Sequence, residues 1–296
     1  MVDRHQEVLT GTVSFRYISR RLAASRPTEQ RDHTGNVAPD AEKSPTVTTP
    51  PVGVSHGAGW LDHGFHIDVH SHNDGQLVYP ASGVLATTTG SGTWVAPANR
   101  VTWTPPGFEH SHRFYGRTDV RLVVIPAQLC GALVAQPSVF AVSALLREAL
   151  LTLSERDDAT SGAYERLRAV VIDELIEAPD QSLHLPEPRD DRLRAVTDLL
   201  RADPARSETL TELGRAAGAS GRTLSRLFRD EFGMSFHRWR TMLRVHHALI
   251  DLADGRSVTD TAVGCGWSNP TSFIEAFTAV VGQTPGRYQA GLRDSR

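Results

Sequence analysis

Residues 209–228 read TLTELGRAAGASGRTLSRLF. Thr209 and Glu212 form a capping box, in which the hydroxyl accepts from the third amide of a helix while the carboxylate reaches back to the cap. A short helix follows to Ala217, with Leu213 and Ala216 apolar, and Gly218 ends it. Ser220 then caps a second helix that turns Leu224, Leu227 and Phe228 inward and Arg222, Ser225, Arg226 and Arg229 outward. Helix, glycine turn, and helix with an arginine-bearing face make a helix-turn-helix pattern over 209–232.

The pattern returns over 257–281, which begins SVTDTAVGCGWSNPTSFIEAF. Ser257 and Asp260 cap a helix through Ala262 and Val263, and Gly264-Cys-Gly266 turns the chain. Trp267 is an apolar hinge, Asn269 a cap and Pro270 the first residue of the next helix, with Phe273 and Phe277 inward. Between the two units Phe236 to Leu252 reads as one longer helix, with Trp239, Leu243, Ala248, Leu249 and Leu252 on its buried stripe. About 17 residues at 1.5 Å each span roughly 25 Å, enough to hold two recognition helices near one DNA turn apart.

These residues resemble the DNA-binding domain of the AraC/XylS family, with coverage from Asp190 to Gln289. Gly218-Ala-Ser220 with Leu227-Phe228 is similar to the first motif of that family. Gly266 to Phe273, then Phe277, Gly282, Thr284, Pro285 and Tyr288, are similar to the signature of the second. The resemblance implies that Arg222, Ser225 and Arg226 in the first recognition helix and Thr271, Ser272 and Glu275 in the second read bases of double-stranded DNA. Arginine meets guanine bidentately, hydroxyls serve several edges, and a carboxylate accepts from cytosine. Glu275 departs from the basic or neutral residue many relatives carry. Arg229 is expected on phosphate or on a solvated face. Gly214, where alanine is usual, is expected to weaken its helix.

The chain has 296 residues, room for about two domains. Apolar residues make up 40% and charged residues 22%, a globular composition. The net charge is -3, but from Asp190 onward 15 arginines face 13 acidic residues, so the basic half is the C-terminal one. Cys130 and Cys265 form neither a disulfide framework nor a metal pair and read as small buried hydrophobes. With no membrane-length apolar run and no secretory signal pattern, the expected location is cytoplasmic, without membrane contact.

Residues 1–54 are rich in Arg, Thr and Pro and read as a disordered arm. From Phe65 to Pro126 short strands alternate with turns: Phe65 to His70, Val84 to Thr88, Thr93 to Val95, Val101 to Thr104 and Arg121 to Ile125. The span 55–130 is thus expected to be a small barrel or sandwich. Val139 to Leu153 and Tyr164 to Ile176 carry helical apolar stripes, making 137–180 a helical hairpin and the candidate dimer interface, unless it packs on its own barrel. Residues 181–189, with Pro186 and Pro188, read as a linker, and 190–296 as the DNA-binding domain.

His70-Ser-His72, Gln76, and Pro105-x-Gly107-x-x-His110 resemble the two cupin motifs. The resemblance implies a cupin-like sensor and, in metal-binding members, a divalent ion held by His70, His72, His110 and the residue at position 76, here Gln76 where those members carry Glu. Three imidazoles suit Zn, Ni or Fe. The alternatives are a pocket lined by polar histidines and aromatics, and hydrogen-bonded histidines with no ligand role. His112 is read as solvated or as structural packing, and Tyr79, Trp94, Trp103 and Phe114 as core.

The expected architecture is therefore α+β and multidomain: an N-terminal cupin-like β-barrel, a helical hairpin and a C-terminal all-α double helix-turn-helix. The expected function is that of a transcriptional regulator, not an enzyme, working as a homodimer, answering a small-molecule or metal effector and meeting RNA polymerase. The competing reading is a metal-dependent cupin enzyme fused to a DNA-binding domain.

Overall fold

The computed structural model describes residues 56–178 and 183–294. The expected arm, 1–54, lies outside the described residues. Among the described residues eight strands form one antiparallel sheet: β1 (His56–Leu61), β2 (His66–His70), β3 (Gly75–Thr89), β4 (Gly92–Pro97), β5 (Arg100–Thr104), β6 (His110–Ile125), β7 (Ser138–Ala141) and β8 (His184–Pro186).

The long strands β3 and β6 pair along their whole length, and the sheet forks around them. At one end β1 joins the second half of β6, while β5 and then β7 join the first half of β3. At the other end β2 joins the first half of β6, while β4 and then β8 join the second half of β3. Register shifts between Pro80 and Val84 mark the fork. The hydrogen-bonded order is open, so strand pairing does not close the expected barrel.

Period-two alternation assigns the two faces of each strand to different cores. Val78, Leu85, Phe114, Val120 and Leu122 face the interior of the fold with Leu61. Leu77, Tyr79, Trp103, Val123 and Ile125 face outward at one end and are covered by helices α1 (Ala144–Glu155) and α2 (Gly162–Glu177). Each fully buried leucine of that seam, Leu146, Leu150 and Leu153 among them, contributes about 1.5–3 kcal/mol. The hairpin thus spends its apolar stripe on its own sheet. Val139 to Ala141 form a strand, not the start of a helix, because they pair with β5, and Ser143 caps α1 by accepting from the Leu146 amide.

The C-terminal half is helical: α3 (Asp191–Ala202), α4 (Leu210–Ala216), α5 (Gly221–Phe232), α6 (Phe236–Ala253), α7 (Val258–Gly264), α8 (Pro270–Val281) and α9 (Pro285–Asp294). Leu224, Phe228, Phe232 and Trp239 centre one core with α3 and α4, and Phe273, Phe277, Val281 and Tyr288 centre another with α6 and α7.

The two halves share a core. Val84, Ala86 and Val95 on the outer face of β3 and β4 pack with Val245, Ala248, Leu249 and Leu252 of α6. Asn99 Nδ2 and Arg100 donate to the Val281 carbonyl at the end of α8, and His63 Nδ1 lies 2.5 Å from the Asp254 carboxylate. Gly116, at φ 67°, approaches α6 so closely that a Cβ there would sit 2.8 Å from the Ala253 carbonyl oxygen.

The expected linker is not a free tether. Its residues His184 to Pro186 pair with β4, His184 stacks on Trp94 at 4.0 Å, Leu183 enters the core of the second motif and Leu185 that of the first. Among the described residues no helix is long and apolar enough to cross a membrane.

Candidate functional site

The first recognition helix is positioned by local chemistry. Thr209 accepts from the Glu212 amide and Glu212 from the Thr209 amide, which starts α4. Ser220 accepts from the Thr223 amide to start α5, and Gly233 in the left-handed region ends it. Leu224 and Phe228 anchor the buried face of α5. On the opposite face Arg222, Ser225, Arg226 and Arg229 line an open concavity of about 610 Å³ with Thr223 and Asp230. Arg229 lines the same concavity as Arg226. Arg226 is 4.0 Å from Asp230 with both side chains exposed, a pairing worth roughly 0–1 kcal/mol, too weak to hold the guanidinium from a DNA partner.

Gly214 does not act only through helix propensity. A Cβ there would lie 2.4 Å from the Ala219 carbonyl oxygen, and the Gly214 carbonyl accepts from the Ala219 amide. The missing side chain lets the turn fold back on α4.

Ser257 caps α7, and Asn269 caps α8 by accepting from the Thr271 amide, with Pro270 in the first turn. Thr271, Ser272 and Glu275 are exposed on α8 while Phe273 and Phe277 are fully buried. Ile274, 39% exposed beside them, went unread in the sequence; an apolar residue on a recognition helix suits a thymine methyl group. Between the motifs α6 has 18 residues, about 27 Å of helix.

The second constellation lies inside the sheet. Ligand atoms of His70, His110 and His112 fall within 4.8 Å of one another. The His72 ring lies 4.9 Å from that of His110 and 6.1 Å from that of His70. Nδ1 of His70 bonds the Asp68 carbonyl at 2.8 Å, that of His72 the Asp74 carbonyl at 2.5 Å, and that of His110 the Phe108 carbonyl at 2.9 Å. Each bond fixes Nδ1 as the protonated nitrogen and leaves Nε2 with a lone pair. Nε2 of His72 and of His110 is buried with no hydrogen-bond partner.

His112 is buried, not solvated: its Nδ1 is 3.0 Å from the Thr87 hydroxyl and its Nε2 3.3 Å from Gln76 Oε1. Burial lowers all four imidazoles from their usual 6.5, His110 to about 3 and His112 well below that usual value. They are neutral at pH 7, the state in which imidazole ligates metal.

Simple alternation along β2 does not place His70. The ladder to β6 shifts register between Ile67 and His70, so Val69 is 68% exposed while His70 turns inward opposite His110. The repeated His-Ser-His of 70–72 and 110–112 was the signal for His112.

Two capped helix-turn-helix units joined by a rigid helix, each with a polar recognition face, define a DNA-binding protein. A profile described as a helix-turn-helix domain matches residues 213–291. The HTH-type transcriptional regulator NimR of Escherichia coli K12 is 32% identical over 229 residues, which cover 76% of this chain and 82% of NimR. RipA of Corynebacterium glutamicum, also an HTH-type transcriptional regulator, is 36% identical over 107 residues, 36% of this chain and 32% of RipA. Among solved structures, ToxT of Vibrio cholerae aligns over 80% of this chain and 98% of its own at 11% identity and a TM-score of 0.36. The chain belongs to the AraC family of helix-turn-helix transcriptional regulators.

Proposed function

We propose that this regulator senses an effector in a cupin-like N-terminal domain, and that the effector is a divalent metal ion, Zn, Ni or Fe, or a small molecule bound at the same histidines. One observation carries the reading: the histidine cluster and the DNA-binding half sit on opposite faces of one strand. Thr87 of β3 points inward to His112, while its neighbour Ala86 packs in the core shared with α6. A change at His112 therefore meets the DNA-binding helices one residue away.

The residues fit a metal. His70, His110 and His112 would hold it through nitrogen, with His72 and Gln76 alongside, and the ion would supply a fixed positive charge inside the sheet. Ligation through His112 Nε2 requires Nδ1 to carry the proton and donate to Thr87, so the hydroxyl must accept. Gln76 leaves the ligand set without an anion.

In the DNA-binding half we place base reading on Arg222, Ser225, Arg226, Thr271, Ser272 and Glu275, and phosphate anchoring on Arg229. A second copy of the chain belongs on the outer side of the hairpin, where Leu145 and Ile176 are 56% and 52% exposed. RNA polymerase is a partner by virtue of transcriptional control.

The test measures metal content and DNA affinity together, on protein purified without chelator. Wild type is expected to bind Zn, Ni or Fe and to change DNA affinity on chelation, and His110→Ala and His112→Ala to lose both responses. Equal metal content in wild type and variants after equilibration would refute the metal reading. Oxygen uptake with candidate substrates separates the fused-enzyme alternative; the sensor reading predicts none.

A further inference from the structure

A cleft of about 300 Å³ lies between α6 and α8, lined by His237, Arg240, Thr241, Arg244, Trp267 and Ser272. The α6 residues stand at i, i+3, i+4 and i+7, so they share one face of that helix. Arg240 lies 4.6 Å over the Phe236 ring and donates to the Glu208 carbonyl, and its Nε is buried without a hydrogen-bond partner. Arg244 lies 5.7 Å over Trp267 and donates to the Pro204 and Arg206 carbonyls, each at 2.9 Å. These hydrogen-bond partners are neutral main-chain oxygens, and the Glu208 carboxylate that acts on Arg240 is itself paired with Arg206, so the cleft, which also presents two hydroxyls, keeps a positive balance.

The position of the cleft selects its ligand. Ser272 belongs both to the cleft wall and to the exposed face of the second recognition helix. Two recognition helices on one face of B-DNA enter successive major grooves, and between them the minor groove and its flanking phosphates face the protein. The element that spans this interval is α6.

We propose that the cleft is a seat for a DNA backbone phosphate lying between the two recognition helices. Arg240 is its principal cation, Thr241 and Ser272 are its hydroxyl donors, and Arg244 chiefly fixes the 204–206 loop beneath it. This rests on both recognition helices entering DNA. Its consequence is a sequence-independent contact that fixes the spacing of the two motifs on the duplex.

The test uses the full chain and a duplex that the protein itself selects from a random pool, with uncharged methylphosphonates placed singly through the spacer between the half-sites. Wild type is expected to lose affinity several-fold at one or two spacer positions. Arg240→Gln is expected to bind the unmodified duplex more weakly, with a salt slope smaller by about one, and to be indifferent to those substitutions. Thr241→Glu puts a carboxylate in the cleft without removing a side-chain hydrogen bond, and is expected to weaken selected and scrambled duplexes by the same factor while keeping the wild-type melting temperature. Spacer methylphosphonates that cost wild type and Arg240→Gln equally would overturn the proposal, as would an unchanged affinity for Thr241→Glu. Arg226→Ala reports on the underlying reading: if it discriminates sequence as wild type does, the reading of the recognition helices fails, whatever the cleft does.

Discussion

The Thr87 hydroxyl and His112 Nδ1 lie 3.0 Å apart, and the bond joins the strand that packs against the DNA-binding half to a buried histidine of the cluster. Either partner can donate. Its direction follows the His112 tautomer, so a change at His112 Nε2, which lies 3.3 Å from Gln76 Oε1, is passed through the ring to Thr87.

Acid should loosen the seam between the two halves. His246 of α6 is fully buried and held down to about 3, and His184, stacked on Trp94, is held down to about 4, in both cases chiefly by burial. Both values lie below the usual 6.5, so as pH falls the unfolded chain takes up protons before the folded one. The stability due to their neutral state is whole above about pH 6.5 and is lost as pH falls toward 4 and then 3. Urea midpoints taken from pH 7.5 to 4.5 should decline, and His246→Leu should flatten the decline. A slope unaltered in that variant would contradict this account.

Gly214→Ala sets propensity against geometry. Helix propensity alone favours alanine by about 1 kcal/mol. The new Cβ would lie 2.4 Å from the Ala219 oxygen and 3.1 Å from Leu224 Cδ1, and overpacking of that kind costs about 1–3 kcal/mol. A net loss of stability in urea unfolding is expected; a gain would show that the turn relaxes freely.

The caps and apolar stripes of the C-terminal half were legible because their signals are local. Thr209 with Glu212, Ser220, Ser257 and Asn269 are read within three residues and all cap their helices. What escaped the sequence was non-local. Strand β8 has three residues, the last of them Pro186, and pairing with β4 and the Trp94 stack make it a strand. The inward turn of His70 depends on a register shift against β6 that no pattern within β2 announces. The long β3 was seen only in its second half, because the segment from Gly75 to Gly83 carries Pro80 and two glycines that look like turn residues.

The hairpin yields a contrast between neighbours. Leu146 is 1% exposed against its own sheet and Leu145 is 56% exposed. Leu146→Glu buries an unpaired charge and should abolish soluble folded protein. Leu145→Glu should leave the melting temperature unchanged while converting dimer to monomer in sedimentation. A wild type that is monomeric at micromolar concentration would remove the dimer from the account.

The measurement nearest to the central claim is selection of duplexes from a random pool by wild type, Arg226→Ala and Arg229→Ala, followed by titration against selected and scrambled DNA. Wild type should recover two half-sites about 10–10.5 base pairs apart. Arg226→Ala should lose preference in one of them, at a cost of about 1–3 kcal/mol on the selected duplex and little on the scrambled one. Arg229→Ala should weaken both duplexes alike and lower the salt slope by about one. A single half-site, or parallel loss on both duplexes for Arg226→Ala, would contradict the claim that two recognition helices of one chain read DNA together.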